Sequence, residues 1–298
     1  MSIKEIWCFF LIDKKKESNI RTIAITGSTG FIGSSLIKTI RLSDKLKIIP
    51  ITRIHEKGTW RFDFSNLESD STLIYCSEES NIAKTEEEGS EGLKLSLTNL
   101  EDILSKDYKR IIYLSSGVIY LNRFKDSSFY TETSDVYRNT WYKKRRVKSE
   151  ELVKNTGCGV ILRLSNVYGL GNIGKNIFGD LMCQLKTKDP LEIKVRDSTP
   201  IRDYIHISDV VNVIFRIAKE DVKGTYNLST GVGTSVLDLV YLFGEVLNRN
   251  ISKVISTNKN KDNSVLVLDN KKIVNDLHWL PKINLKMGIE KILNQKEV

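Results

Sequence analysis

Residues 22–33 read Thr22-Ile23-Ala24-Ile25-Thr26-Gly27-Ser28-Thr29-Gly30-Phe31-Ile32-Gly33. The apolar, β-branched run ends at a glycine, and the next residues take helical spacing. A buried strand over Thr22–Thr26 and a helix over Phe31–Leu42 are predicted. Glycines at 27, 30 and 33 allow a tight turn and a close backbone approach to a pyrophosphate. The opening of the helix offers unpaired N–H groups and a favourable dipole to that anion. A lone glycine motif is weak, but between a strand and a helix it predicts a dinucleotide-binding turn of Gly27, Thr29, Gly30, Phe31, Ile32 and Gly33.

Working outward, short β-rich runs alternate with helical ones. Strands are predicted at Lys47–Thr52, Trp60–Phe64, Thr72–Cys76, Arg110–Ser115 and Val160–Ser165. Helices are predicted at Leu93–Leu104, Tyr137–Asn155 and Ser208–Lys219. The alternation predicts an α/β fold, a Rossmann-type doubly wound parallel sheet. Two places fit it poorly. Pro50 is awkward in a central strand, and Ser65 to Ser71 is too short for a crossover helix between the third and fourth strands. The acidic stretch Glu78–Glu91 reads as an exposed loop. The last third has its own strand and helix signals, a small C-terminal α+β lobe. The resulting division is an extension over 1–20, a Rossmann domain over 21–168 with about 203–230 returning to it, and a substrate-binding lobe over 169–202 and 231–298.

Composition narrows the function. Of 298 residues, 40% are hydrophobic and 28% charged, which supports a packed core and excludes wholesale disorder. The net charge of +9 is spread along the chain, with one dense cluster at Lys143–Lys148. No zinc-finger, RRM or helix-turn-helix signature accompanies it, so no nucleic-acid partner is expected. The charge fits an anionic small ligand or a solvated surface. Four cysteines without a CxxC pair and three histidines without HxxxH spacing predict no metal site and a reducing compartment. No apolar run reaches eighteen residues, so no membrane span is expected. Ile6–Ile12 is apolar but short and lacks a small-residue cleavage site; it reads as an extra packed segment or the poorly ordered product of an upstream start codon, in preference to a membrane-surface anchor, and a cytoplasmic location is expected.

The end of the second strand discriminates between cofactors. An acidic residue there would bind the adenosine ribose hydroxyls of NAD. This chain has Thr52 and Arg53 instead. A guanidinium suits a 2′-phosphate, so NADP(H) is favoured over NAD(H). A solvated surface arginine is the plain alternative. Asp63 is a candidate acceptor for the adenine amine.

Together the motifs resemble the extended short-chain dehydrogenase/reductases, the NAD(P)-dependent nucleotide-sugar epimerase/dehydratase family. The resemblance rests on TGSTGFIG (Thr26–Gly33), YLSSGVIY (Tyr113–Tyr120), RLSNVYG (Arg163–Gly169), RDYIHISDV (Arg202–Val210), YNLSTG (Tyr226–Gly231) and LHWLP (Leu277–Pro281), in that order. It implies hydride transfer between a nicotinamide and a sugar carbon. It also implies a tyrosine that moves the hydroxyl proton, assisted by a Ser/Thr and by a lysine in a YxxxK helix. Those positions fall at Ser116, Tyr142 and Arg146, with Glu150 fixing the register; a strand-end serine capping a turn is the plain reading of Ser116 and a packing tyrosine that of Tyr142. Tyr142 and Arg146 thereby belong to both the catalytic and the cofactor-binding set. Ser115 reads as a structural neighbour of Ser116. Arg146 departs from the pattern: it supplies the charge that favours phenolate, but not the compact ammonium. Lys143 or Lys144 are candidate compensators, and a solvated helix face is the plain reading of the cluster. On the substrate side the resemblance implies that Ser116 touches the sugar, and that Asn166 and Arg202 meet the diphosphate of a nucleotide sugar. Arg163, Tyr204 and His206 read as structural. A homodimer through the helix of Tyr142 is a family expectation.

The family's 4,6-dehydratases carry an Asp-Glu pair after the Ser/Thr position. Gly117 and Val118 stand here, which disfavours elimination. An epimerase and a 4-keto-sugar reductase remain, with Arg53 leaning to the reductase. Two alternatives stay open: an NADP(H)-binding sensor that is weak or inactive because of Arg146, and an enzyme of the same fold on a different carbonyl substrate.

Overall fold

A computed structural model describes residues 21–40, 46–56, 59–121, 129–171, 176–185, 191–258 and 262–294. The proposed extension over residues 1–20 lies outside the described residues. Element by element, β1 (Arg21–Thr26) leads through the glycine turn into α1 (Phe31–Ile40), then β2 (Leu46–Ile51), β3 (Arg53–Glu56), β4 (Thr59–Phe62) and β5 (Thr72–Tyr75). A long helix, α2 (Ile82–Leu104), precedes β6 (Arg110–Ser116), a 3-10 turn (Gly117–Tyr120), α3 (Trp141–Asn155), β7 (Gly159–Leu164) and β8 (Asn166–Tyr168). The chain continues through α4 (Ile177–Gln184), β9 (Leu191–Val195), β10 (Ile201–His206), α5 (Ile207–Lys219) and β11 (Gly224–Leu228). It finishes with β12 (Gly233–Ser235), α6 (Val236–Val246), β13 (Ile251–Ser256), β14 (Val265–Leu266), α7 (Lys271–Leu277) and α8 (Leu285–Asn294).

The central sheet has six strands in the order β11-β7-β6-β5-β1-β2, and every neighbouring pair is parallel. This is the doubly wound sheet that the alternation predicts. β1 is followed on one side by β2 and on the other by β5. The order therefore reverses beyond the carboxyl ends of β1 and β5, where a ligand crevice forms in such sheets. One face packs Ile25, Ile74, Ile112, Leu162 and Leu228 against the inner stripe of α5. The other packs Leu73, Tyr75, Ile111, Tyr113 and Ile161 against α2 and Val153. Pro50 is accommodated because β2 is, among the described residues, an edge strand paired with β1.

The predicted third strand of the sheet is corrected. Its residues pair antiparallel as β3–β4, with Arg53 opposite Phe62, outside the six-stranded order. A hairpin needs only a turn, so the short Ser65–Ser71 connection no longer has to hold a crossover helix. A second correction concerns Glu78–Glu91. Its residues from Ile82 onward are helical, in α2, which bends at Gly89 (φ 57°) and is capped by Asn81, whose side chain accepts from the Lys84 amide at 3.0 Å. The partner that makes this charged helix stable is α3.

A separate apolar cluster joins α4, α6 and α8 with Ile193, Val195 and Tyr204. β10 lies between β12 and β14 and also pairs with β8.

Candidate active site

The glycine turn closes at the switch point. Gly27 has φ 64°, and a Cβ there would stand 2.6 Å from the Cys76 carbonyl oxygen at the end of β5. A Cβ at Gly33 would stand 2.2 Å from the Gly27 carbonyl oxygen. The Gly30 amide donates to that oxygen at 2.9 Å. Backbone thus occupies the space of two missing side chains, and the first-turn amides of α1 stay open to an anion. This is a cradle that fits a dinucleotide pyrophosphate. Thr29 is exposed, Ile32 is half-buried, and the Phe31 ring lies against Gly169 and Gly171. Gly33→Ala forces helix and turn apart. It is expected to weaken binding of a nicotinamide dinucleotide at least about tenfold and to destabilise the fold by about 1–3 kcal/mol, measured by fluorescence titration and urea melting.

Arg53 and Asp63 meet at the end of β2. The Asp63 amide donates to the Thr52 carbonyl at 2.9 Å. The Arg53 guanidinium lies 5.4 Å from the centre of the Phe62 ring, on the facing arm of the hairpin. Asp63 Oδ1 accepts from the Ser65 amide at 2.9 Å, and this bond holds the carboxyl below its ordinary range. Three strand intervals separate β2 from β6, about 15 Å at the usual spacing. That is the reach of an extended dinucleotide lying across the strand ends.

At the other end, β6 finishes at Ser116, whose Oγ accepts from the Val118 amide at 3.3 Å. Ser115 behaves as the structural neighbour: its hydroxyl donates to Glu150 at 2.6 Å, in the core. Tyr142 lies in the first turn of α3, 5% exposed, with the Arg146 guanidinium 5.1 Å from its ring centre. Arg146 Nη1 donates to Glu78 Oε2 at 2.6 Å and to the Leu114 carbonyl at 3.2 Å; Nη2 donates to the Glu79 carbonyl at 2.9 Å. Burial disfavours its charge, but Tyr142, Glu78 and Tyr113 outweigh burial and hold the guanidinium ionised.

The basic cluster is therefore only in part a solvated face. Lys143, Arg145 and Arg146 are buried, while Lys148 is exposed. Arg145 pairs with Glu88 at 2.9 Å. Glu86 receives the amides of Trp141 and Tyr142 at 3.2 and 2.9 Å, a carboxylate at a helix N-terminus. Lys143 donates to the Leu121 carbonyl and to Asn139, and Lys144 lies 4.1 Å above the Trp141 ring, so both are engaged away from Arg146. Glu78, Glu86 and Glu88 are neighbours of the candidate residues Tyr142 and Arg146 that reading the sequence missed. Their signal was the match of an acidic run to a basic run of opposite sign.

Ser116 is in register with Leu164, so Asn166, two residues further on, lies at the same edge. Asn166 Nδ2 donates to the Asp203 carbonyl at 3.1 Å. Arg202, on the neighbouring strand β10, donates to the Ile201 and Ser264 carbonyls and to Ser264 Oγ at 2.8–2.9 Å, and lies 3.7 Å from Asp262. Burial lowers its pKa. Arg163 is structural, bidentate to Glu150 at 2.7 and 3.0 Å. Burial pushes His206 down to about 4, so it is neutral near pH 7, and its Nδ1 accepts from the Ser208 amide as a helix cap. Among the described residues, no cluster of His, Cys, Asp and Glu could hold a metal, and no helix is long and apolar enough to cross a membrane.

Residues 23–229 match the NAD dependent epimerase/dehydratase family. CDP-abequose synthase of Salmonella typhimurium is 25% identical over 92% of this chain and 97% of its own length. UDP-glucose 4-epimerase 2 of Arabidopsis thaliana is 27% identical over 66% of this chain and 62% of its own. The chain spans less than two thirds of the length of the first curated relatives it matches. Among solved structures, RMD from Pseudomonas aeruginosa complexed with NADPH superposes with a TM-score of 0.79 at 16% identity, over 93% of this chain and 100% of the other.

Proposed function

The chain belongs to the NAD dependent epimerase/dehydratase family, and on that footing we propose that it is a reductase of a nucleotide-activated 4-keto sugar that uses NADPH. The observation that carries the reading is the run of candidate groups along the strand ends, from Arg53 through the glycine cradle to Ser116, with Arg146 bonded to the Leu114 carbonyl of the same strand and lying against the Tyr142 ring. The near full-length match to CDP-abequose synthase supports a nucleotide-sugar substrate.

In this reading Gly27, Thr29, Gly30, Phe31, Ile32 and Gly33 hold the pyrophosphate, Arg53 the 2′-phosphate, Asp63 the adenine amine, and Tyr142 and Arg146 the nicotinamide end. The nicotinamide supplies the hydride when bound. Ser116 hydrogen-bonds the reacting sugar oxygen. Tyr142 delivers the proton to that oxygen, and Arg146 stabilises the phenolate left behind. Asn166 and Arg202 receive the substrate diphosphate, with Arg202 exchanging its weak 3.7 Å pairing to Asp262 for phosphate oxygens. We read residues 21–168, with about 203–230, as the cofactor-binding unit and 169–202 with 231–298 as the substrate lobe. Elimination is disfavoured because Gly117 and Val118 follow Ser116 and because Glu78 is saturated by Arg146, Tyr113, Ser96 and Ser149.

A second reading, an NADP(H) sensor without turnover, draws on that Glu78–Arg146 pairing. Incubating the protein and NADPH with UDP-, GDP-, CDP- and dTDP-sugars, including 4-keto forms, separates the readings by NMR. Stoichiometric NADPH loss with one keto sugar supports the reductase. Epimerised product without NADPH loss replaces it with an epimerase. NADPH binding with no product favours the sensor.

The Arg53 assignment has its own test. Hydrogen bonds to a charged group contribute about 1.5–3 kcal/mol, and about 1.4 kcal/mol is tenfold in affinity. Arg53→Ala is expected to lower the NADPH-over-NADH preference by about 10–100-fold, read from Kd ratios. An unchanged ratio returns Arg53 to a surface role.

A further inference from the structure

The acidic stretch folded onto α3 buries one carboxylate that the proposed reaction does not use. The Glu78 side chain is 2% exposed. Its Oε2 accepts from Arg146 Nη1 at 2.6 Å and from the Tyr113 hydroxyl. Its Oε1 accepts from Ser149 Oγ at 2.7 Å and from Ser96 Oγ at 3.3 Å. Four donors from α2, β6 and α3 therefore fix one carboxylate in place.

Other charges around Tyr142 and Arg146 are already assigned. Glu86 of α2 receives the Tyr142 amide, and Glu88 of α2 is taken by Arg145. Tyr113 of β6 binds Glu78, and its phenol is held well above the ordinary range, first by burial and then by Glu78. Tyr75 of β5 is raised by the same two causes, in the same order. Among the described residues, Glu78 is the carboxylate within ion-pair distance of Arg146.

An arginine has a long, flexible stem, and a planar fork acts only in the plane in which it is held. Here Glu78, with the Leu114 and Glu79 carbonyls, takes three of the five N–H groups. The Tyr142 ring lies 5.1 Å from Cζ. We propose that Glu78 is a positioning residue: it pins the Arg146 guanidinium beside the Tyr142 ring, so that a cation stands at the phenol throughout the proton transfer. The proposal rests on the reading of Tyr142 and Arg146 as the acid/base pair. It identifies the arginine and the glutamate as one functional unit drawn from distant parts of the chain.

Glu78→Gln keeps the shape and an acceptor oxygen and removes the charge. In cofactor-free protein, side-chain NMR of the guanidinium, assigned by its loss in Arg146→Lys, reads the contact directly. Wild type is expected to show resolved Nη protons with slow rotation about Nε–Cζ, and Glu78→Gln to show averaged ones. In turnover assays the same variant is expected to lose about 10–100-fold in kcat, because small misplacements near the chemistry cost that much. KM for the sugar nucleotide stays near the wild-type value. Glu78→Asp, which retains the charge but draws it back by one methylene, is expected to recover part of kcat.

Guanidinium signals and kcat both unchanged in folded Glu78→Gln overturn the proposal. So does averaging of the signals with no loss of kcat in an enzyme that Tyr142→Phe inactivates. If Glu78→Gln does not fold, the Asp variant decides: looser guanidinium signals support the proposal, and unchanged ones overturn it. If Tyr142→Phe leaves turnover intact, the acid/base reading itself fails, while the NMR arm still reports whether Glu78 holds Arg146.

Discussion

Tyr142→Phe is expected to lower kcat by about 10²–10⁴-fold while the protein stays folded and still binds NADPH. A positioned general acid contributes about that factor, equivalent to about 3–5 kcal/mol of barrier at 1.36 kcal/mol per tenfold. The variant removes one oxygen and keeps the ring that Arg146 approaches at 5.1 Å. The Glu86 bond to the residue 142 amide is a backbone contact and survives. KM for the sugar nucleotide is therefore expected to change little. Steady-state kinetics with a cofactor titration checks this. A Phe variant with wild-type kcat removes Tyr142 from the chemistry.

The largest stability effect is expected at Arg163, which lies opposite Ser115 on the neighbouring strand. Its guanidinium is bidentate to Glu150, and Nη1 also donates to the Tyr120 hydroxyl at 2.7 Å and the Glu132 carbonyl at 3.1 Å. Burial pushes the Tyr120 phenol up to about 12, so it stays neutral and donates to Asn227. Arg163→Met leaves the Glu150 carboxylate buried, with Ser115 and a 3.7 Å contact to Lys154. Removing one partner of such a pair costs about 3–5 kcal/mol. At about 2–4 °C per kcal/mol the melting temperature should fall by at least about 6 °C. Replacing both partners removes the stranded charge, so Arg163→Met with Glu150→Leu should recover most of the loss. Calorimetry on the three proteins checks both statements. A single variant that melts with wild type would mean that Glu150 finds water or another cation.

The glycine turn was legible because its constraint is local: backbone fills the space where Cβ atoms at Gly27 and Gly33 would stand. Strand positions were also legible, since apolar β-branched runs carry their own period. Partners were not. Thr59–Phe62 is a strand, as Trp60–Phe64 predicted, but it pairs with Arg53–Glu56 and not with the sheet. Nothing within a short apolar run specifies which neighbour it takes. The acidic segment failed for a related reason. Glu78, Glu86 and Glu88 look solvated when read alone, and so do Lys143–Lys148. Glu88 pairs with Arg145 and Glu78 with Arg146, and Glu86 caps the helix that carries them, across more than fifty residues. Charge density argues for solvent only where no opposite run folds against it, and that fact lies in the tertiary structure.

The most direct test is to follow the hydride. NADPH carrying deuterium at the transferable C4 position is incubated with the protein and the 4-keto nucleotide sugars, and the products are examined by NMR and mass spectrometry. Deuterium bound to the sugar carbon, one per NADPH oxidised and abolished by Tyr142→Phe, is the predicted result. Cofactor bound tightly with no deuterium in any sugar would contradict it.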